Sequence, residues 1–251
     1  MSMLRVKNLY KTYPSFALKD VSFSLEPGRI MGLIGKNGAG KSTTLKAMLG
    51  MVCPDSGKVE MMGRDFYVDE AQCKQALGVV LGGIDFYKEK RLAQITHVTK
   101  RFYARWDEDA YARYMQMFAL DEEKRVKELS EGMKVKYLIA LALSHHAQLF
   151  IFDEPTSGLD PVAREDLLAL FRQLVQDGRR SILFSTHITS DLEKCADDIT
   201  YIKDGQLIAS ESKEHFIGSF QHLRCPNEDV LTLEEIMVRN EGRMYDVGAF
   251  C

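Results

Sequence analysis

Eight consecutive residues, Gly35, Lys36, Asn37, Gly38, Ala39, Gly40, Lys41 and Ser42, fit the pattern G-x-x-x-x-G-K-[ST]. The glycines permit a tight loop whose backbone N–H groups turn inward onto phosphate oxygens. Lys41 then reaches the β- and γ-phosphates and the Ser42 hydroxyl ligates Mg²⁺, with Asn37, Gly38, Gly40 and Thr43 completing the nucleotide contacts. Further along, the apolar run Leu149, Phe150, Ile151, Phe152 delivers two acids, Asp153 and Glu154. In a phosphoryl-transfer site the first acid holds Mg²⁺ and the second orients and deprotonates the attacking water. A bare Asp-Glu pair is usually a solvated strand end; behind a phosphate loop it carries chemistry. Two smaller groups join them. Ser130 and Gly132 flank a helix start that could offer N–H groups and a hydroxyl to a phosphate, and His187 ends a strand where it could touch a γ-phosphate.

These residues need elements to hold them. Residues 30–34 read as a strand buried on both faces, and residues 43–49 as a helix whose positive end faces the nucleotide, closed by Gly50. Leu4 and Val6, then Val21, Phe23 and Leu25, alternate with polar neighbours as half-buried strands. Residues 77–81, 148–152 and 181–185 are further apolar strands. Residues 88–146 change texture to helix, with Phe102, Trp106, Tyr114, Met117 and Phe118 expected to form a sub-domain core. His145 and His146 end a helix there, where imidazolium suits the dipole. Ser130 is an N-cap for the helix ending at Ser144. Asp160 before Pro161 caps an amphipathic helix over 161–176, closed by Gly178. Residues 199–209 form a hairpin turning at Asp204-Gly205, and Thr232 to Glu235 look like a capping box opening a short helix.

The bulk numbers narrow the classes. With 251 residues and 45% hydrophobic content the chain suits one large domain or a domain with a sub-domain. A net charge of −3 offers no general basic field, so no nucleic acid partner is expected. Five scattered cysteines, none as C-x-x-C, read as free thiols in a reducing compartment. No signal core opens the chain, and no apolar run approaches the ~20 residues of a spanning helix. The expectation is a cytosolic, soluble protein.

Taken in order, the motifs resemble the ATP-binding subunit of an ABC transporter, over nearly everything from Leu4 to about Ser210. The resemblance covers the Walker A loop (35–42), the signature loop (129–133), Walker B with its glutamate (150–154), the D-loop (157–160) and the H-loop histidine, His187. It is greatest toward bacterial ABC-2-type exporters. It implies an α/β P-loop NTPase fold with a mainly parallel core sheet, an antiparallel β edge and an inserted helical sub-domain. The core would comprise residues 1–87 and 147–210, the sub-domain 88–146, and a tail with a short helix 211–251.

The resemblance also implies a mechanism. ATP and Mg²⁺ are the cofactors, Glu154 is the general base, His187 holds the γ-phosphate and water, and Tyr13 stacks on adenine, with Tyr10 a weaker choice. Two subunits, identical or related, pair head-to-tail, so that Ser130, Gly132 and Asp160 act in trans. Integral-membrane permease subunits are the further partners, which places the chain on the cytoplasmic face of the cell membrane, driving transport, with a lean to export. Two departures stand out. Glu131 and Met133 replace the third and fifth residues of the usual Leu-Ser-Gly-Gly-Gln signature. No glutamine occurs near Gly82, where the family's Q-loop residue should fall; Asp85 is the nearest substitute. The competing readings are a soluble ABC ATPase acting on ribosomes or DNA, and a regulatory subunit with little turnover.

Overall fold

The computed structural model of the chain describes residues 2–81, 87–221 and 233. The long strands β1 (Leu4–Tyr13) and β2 (Phe16–Leu25) form an antiparallel hairpin, and β3 (Ile30–Ile34) follows, buried at every residue. Then come α1 (Lys41–Met48), β4 (Ser56–Met61), β5 (Arg64–Asp65), α2 (Glu70–Gln75) and β6 (Leu77–Leu81). A helical stretch holds α3 (Leu92–Thr99), α4 (Glu108–Met117) and α5 (Glu131–Ser144). The chain returns through β7 (Leu149–Asp153), α6 (Pro161–Val175), β8 (Ser181–Thr186), α7 (Thr189–Cys195), β9 (Asp198–Lys203), β10 (Gln206–Ser212) and α8 (Lys213–Gln221).

Among the described residues, ten strands form one sheet in the order β5-β4-β1-β2-β10-β9-β3-β8-β7-β6. Strands β9, β3, β8, β7 and β6 run parallel as neighbours, while β1, β2, β4 and β5 are antiparallel at the other side. Alternate side chains of the parallel strands point to opposite faces, so each strand feeds two cores. Ile30, Ile34, Phe150, Phe152, Ile182 and Phe184 pack with α5 and α6 on one face. Met31, Leu33, Leu149, Ile151 and Leu183 pack with α1 and the antiparallel strands on the other. On the first face Phe171 of α6 stacks on Phe152 at 5.0 Å and meets Phe184 at 5.7 Å. The hairpin turn at Asp204-Gly205 has both residues at positive φ, 49° and 74°, as a type I′ turn requires.

Helix α5 explains how the helical stretch is held. It is apolar all round: Val135, Ile139 and Ala142 belong to the sheet's core, while Tyr137, Ala140 and Leu141 belong to a third core with Leu92, Tyr111 and Met115. Inside that core Thr96 bonds the hydroxyls of both Tyr111 and Tyr137 at 2.8 Å, so these three hydroxyls are satisfied. The expected aromatic cluster holds only in part. Trp106, Tyr114 and Phe118 pack against this core, but Phe102 and Met117 lie 70% and 66% exposed. Among the described residues no helix is long and apolar enough to cross a membrane.

Two expectations change. Helices α2, α7 and α8 form where no helix was read, since each is short and lacks a sustained apolar period. His145 does cap α5, but it is not an imidazolium. It is 3% exposed, its Nδ1 lies 3.2 Å from the Gln75 carbonyl, and its ring stacks on Tyr103 at 3.7 Å. Burial pulls its pKa from 6.5 down to about 4. The capping box at Thr232 to Glu235 lies outside the described residues except Leu233, which is fully buried with its N–H bonded to the Glu193 carboxylate at 3.0 Å. The stretch near Gly82 lacking a glutamine also lies outside the described residues.

The sign of the His145 effect follows directly. Below about 6.5 the unfolded chain takes up a proton that the folded chain refuses until about 4. Stability should therefore fall as pH drops through that window, by up to about 3 kcal/mol from this group. Urea denaturation between neutral pH and about pH 4 should show a shallower loss in His145→Phe than in the wild type; equal slopes would contradict the assignment.

Candidate nucleotide site

Strand β3 ends at Ile34, and the phosphate loop leaves it at Gly35 with φ 152°. A Cβ at Gly35 would sit 2.2 Å from the Ile202 carbonyl oxygen, so the main chain of β9 leaves room for glycine alone. At Gly40, φ is 115° and a Cβ would meet Leu18 and Phe16 at 2.8 and 2.9 Å. The loop is thus pinned between β9 and the β1–β2 hairpin before α1 begins. Gly40 stands at the N-cap with no side chain of its own, which leaves the first-turn N–H groups facing outward for an anion.

Lys41 is 5% exposed. Its ammonium donates to the Gly35 carbonyl at 2.6 Å and the Lys36 carbonyl at 3.3 Å, and it lies 3.5 Å from Glu154 Oε1. The other oxygen of Glu154 lies 2.6 Å from His187 Nδ1. Glu154 itself sits at φ 52°, a left-handed conformation that costs a non-glycine residue on the order of 1 kcal/mol or more. Its N–H donates to Ser185 Oγ at 2.9 Å, and the Ser185 hydroxyl in turn donates to Asp153 Oδ1. The end of β8 therefore fixes both acids at the end of β7.

Together these groups border an open cleft of about 650 Å³, with Asn37, Gly38, Gly40, Ser42 and Thr43 on the loop side. Lys41, Glu154 and His187 line it too. Asp153 lies beside it, in the Ser185 hydrogen bond and outside the lining. Tyr13 is outside as well: it is 39% exposed with the Lys11 ammonium over its ring. Its cross-strand partner Phe16 does line the cleft. Sequence reasoning passed over Phe16, and the two-residue connection between the hairpin strands was the signal that could have found it, since Tyr13 and Phe16 must then face each other.

The signature loop lies apart from this cleft. Ser130 caps α5 by accepting from the Met133 N–H at 3.3 Å. Gly132 lies against the D-loop and α6, where a Cβ would meet Ala163 and Leu159 at 3.5 and 3.6 Å. Glu131, the unusual acid of the signature, turns back to the buried Lys134 at 2.6 Å. Asp160 caps α6, accepting from the N–H groups of Val162 and Ala163 at 3.0 Å, with Pro161 at the first helical position.

A family model described as ABC transporter matches residues 18–157, from the second strand through the phosphate loop, the signature and both acids. The chain belongs to this family. Among curated relatives of this ABC transporter chain, the bacitracin transport ATP-binding protein BcrA of Bacillus licheniformis is 30% identical over 217 residues, covering 85% of the chain and 71% of the relative. The ABC-type transporter ATP-binding protein EcsA of Bacillus subtilis is 35% identical over 226 residues, covering 86% and 91%. A solved ATP-binding subunit of an ABC transporter superposes with a TM-score of 0.82 at 28% identity, covering 95% of the chain and 99% of that structure.

Two substitutions separate the loop's chemistry from its architecture. Lys41→Ala should leave the circular-dichroism spectrum intact while weakening equilibrium ATP binding ~100-fold, the loss expected for a buried charge-assisted contact worth about 3 kcal/mol. Gly35→Ala should fail to yield folded protein, given the 2.2 Å approach to Ile202. Normal ATP binding by Lys41→Ala would refute the phosphate-loop assignment.

Proposed function

We propose that the chain is the ATP-hydrolysing motor of a transporter, with Glu154 as general base. The observation that carries this reading is the meeting of Lys41, Glu154 and His187 around one cleft, 3.5 and 2.6 Å apart in sequence from Lys41 to Glu154 to His187. ATP lies with its phosphates on the loop and the first turn of α1. Lys41 balances the β- and γ-phosphate charge, and Glu154 takes a proton from the water that attacks the γ-phosphorus. His187 holds Glu154 in place and donates toward the γ-phosphate.

A Mg²⁺ ion fits the donor set. Ser42 and Asp153 supply one hydroxyl and one carboxylate, leaving its other positions to phosphate oxygens and water, as that ion prefers. When bound it would neutralise part of the phosphate charge. The adenine is assigned to the end of the β1–β2 hairpin, with Phe16 or Tyr13 as its stacking partner.

The separation of Ser130 and Gly132 from the cleft supports a head-to-tail dimer in which they complete the site of a second ATPase subunit. Asp160 then stands at the junction of the two sites. A largely apolar groove of about 420 Å³ runs between the sheet and the helical stretch, bordered by Met51, Val79, Tyr87, Ile95 and Tyr103. With Met51 62% exposed it suits a short helix of a membrane permease subunit, which would hold this chain at the cytoplasmic membrane face. A relative named as a Nod factor export ATP-binding protein, 33% identical over 233 residues, favours export as the direction.

Purified protein should hydrolyse ATP, and Glu154→Gln should lower kcat by ~100-fold or more while retaining ATP affinity. Unchanged turnover in the variant would place the base elsewhere. Affinity purification from detergent-solubilised membranes of the native host should bring down integral-membrane subunits. Recovery from the soluble fraction with ribosomes would favour the soluble class instead.

A further inference from the structure

Asp191 lies one helical turn beyond His187, in α7, and its side chain is completely buried. One oxygen, Oδ2, accepts from the Thr156 hydroxyl at 2.6 Å, and Thr156 is itself 0% exposed. The other, Oδ1, has no hydrogen-bond partner among the described residues, nor does Nε of Arg164, which faces it at 3.7 Å. Three chain segments therefore converge on one carboxylate. Thr156 follows Glu154 by two residues, Arg164 follows the cap Asp160 by four, and Asp191 follows His187 by four.

A buried carboxylate is a costly way to fill space. The loss of hydration must be offset, and an apolar side chain of similar volume would pack there without that cost. Only one of its oxygens is fully engaged. A normal charge-assisted N–H···O bond is ~2.8 Å, so the pair with Arg164 is about an ångström longer than full contact. The arrangement ties the loop after the base to the helix after the histidine with a strong bond, and to the first turns of α6 with a slack one.

We propose that Asp191 is a positioning residue for hydrolysis: through Thr156 it locks the turn bearing Glu154 to the helix behind His187, and through Arg164 it makes that lock sensitive to the position of α6 and its cap Asp160. It touches neither nucleotide nor water. Its effect on turnover passes through the 2.6 Å contact between Glu154 and His187, which bridges the same two segments. This rests on the ATPase reading above.

The test compares ATP turnover and ATP binding in the wild type, Glu154→Gln, Thr156→Val, Thr156→Ser and Asp191→Asn. A wild type with turnover that Glu154→Gln abolishes establishes the underlying reading independently. Thr156→Val keeps the shape of the side chain and removes the donated bond; it should lower kcat ~10-fold with ATP affinity within about two-fold of wild type, since a hydrogen bond to a charged group is worth about 1.5–3 kcal/mol. Asp191→Asn should behave alike, and Thr156→Ser, which restores the hydroxyl, should recover most of kcat. Wild-type kcat in Thr156→Val, whatever its melting temperature, would make the bond purely structural and overturn the proposal. So would a Thr156→Ser as impaired as Thr156→Val, or a parallel fall of kcat and affinity with loss of folded protein. Should Asp191→Asn fail to fold, the Thr156 pair decides alone.

Discussion

Three parallel strands end level with one another, and the site depends on that alignment. Ile34 of β3 lies opposite Thr186 of β8, and Ser185 of β8 lies opposite Asp153 of β7. The residues that follow them, the phosphate loop, Glu154 and His187, therefore emerge at the same edge although more than a hundred residues separate the first from the others. The alignment is robust because these strands are buried on both faces. A slip of one residue would carry Phe150 and Phe152 from one core to the other, where Leu149 and Ile151 now pack, and the packing of α5 and α6 on those rings would be lost. Hydrophobic register thus sets the distance between Lys41 and Glu154 as surely as any polar contact does.

What could be read from the chain was what local rules determine. The phosphate loop, the acid pair after an apolar strand, the Ser130 and Asp160 caps and the Asp204-Gly205 turn each depend on residues within a few positions of one another, and each forms as expected. The mainly parallel sheet with its antiparallel side was expected from the family resemblance that these motifs carry, and the strand order agrees with it. By such rules Phe16 could be read only as far as its pairing with Tyr13, and Asp191 not at all. Phe16 borders the cleft only because the hairpin lies against Gly40, and Asp191 meets Thr156 across 35 positions of sequence. His145 was misjudged because a helix terminus was the only environment visible. A dipole is worth about 0.3–1 kcal/mol there, whereas a fall from 6.5 to about 4 corresponds to about 3 kcal/mol in favour of the neutral ring, so desolvation wins.

The helical stretch meets the sheet through few but specific contacts. Besides α5, whose two faces serve two cores, the Gln75 side chain at the end of α2 accepts from the Ala104 N–H at 2.9 Å and donates to the Phe102 carbonyl at 2.7 Å. Its own carbonyl meets His145, which stacks on Tyr103 between those two residues. The direction of α5, and with it the place where Ser130 and Gly132 are presented, is therefore fixed by a clamp at one end of the helix and free of the cleft at the other. Glu131 does not spoil that presentation. Its carboxylate is held by Lys134 on the following turn, so the N–H groups at the helix start keep their positive field.

Lys41 is a buried charge that its surroundings must satisfy. An ammonium only 5% exposed cannot be left without partners, because burying an uncompensated charge costs several kcal/mol. Its partners are two loop carbonyls and, more distantly, Glu154. A polyphosphate entering the loop offers stronger acceptors in the same place. On the proposed mechanism Glu154 would then give up its attraction to Lys41, while its contact to His187 does not involve the lysine. On the proposed mechanism, the contact that would hold ATP would thereby also free the carboxylate proposed as the base.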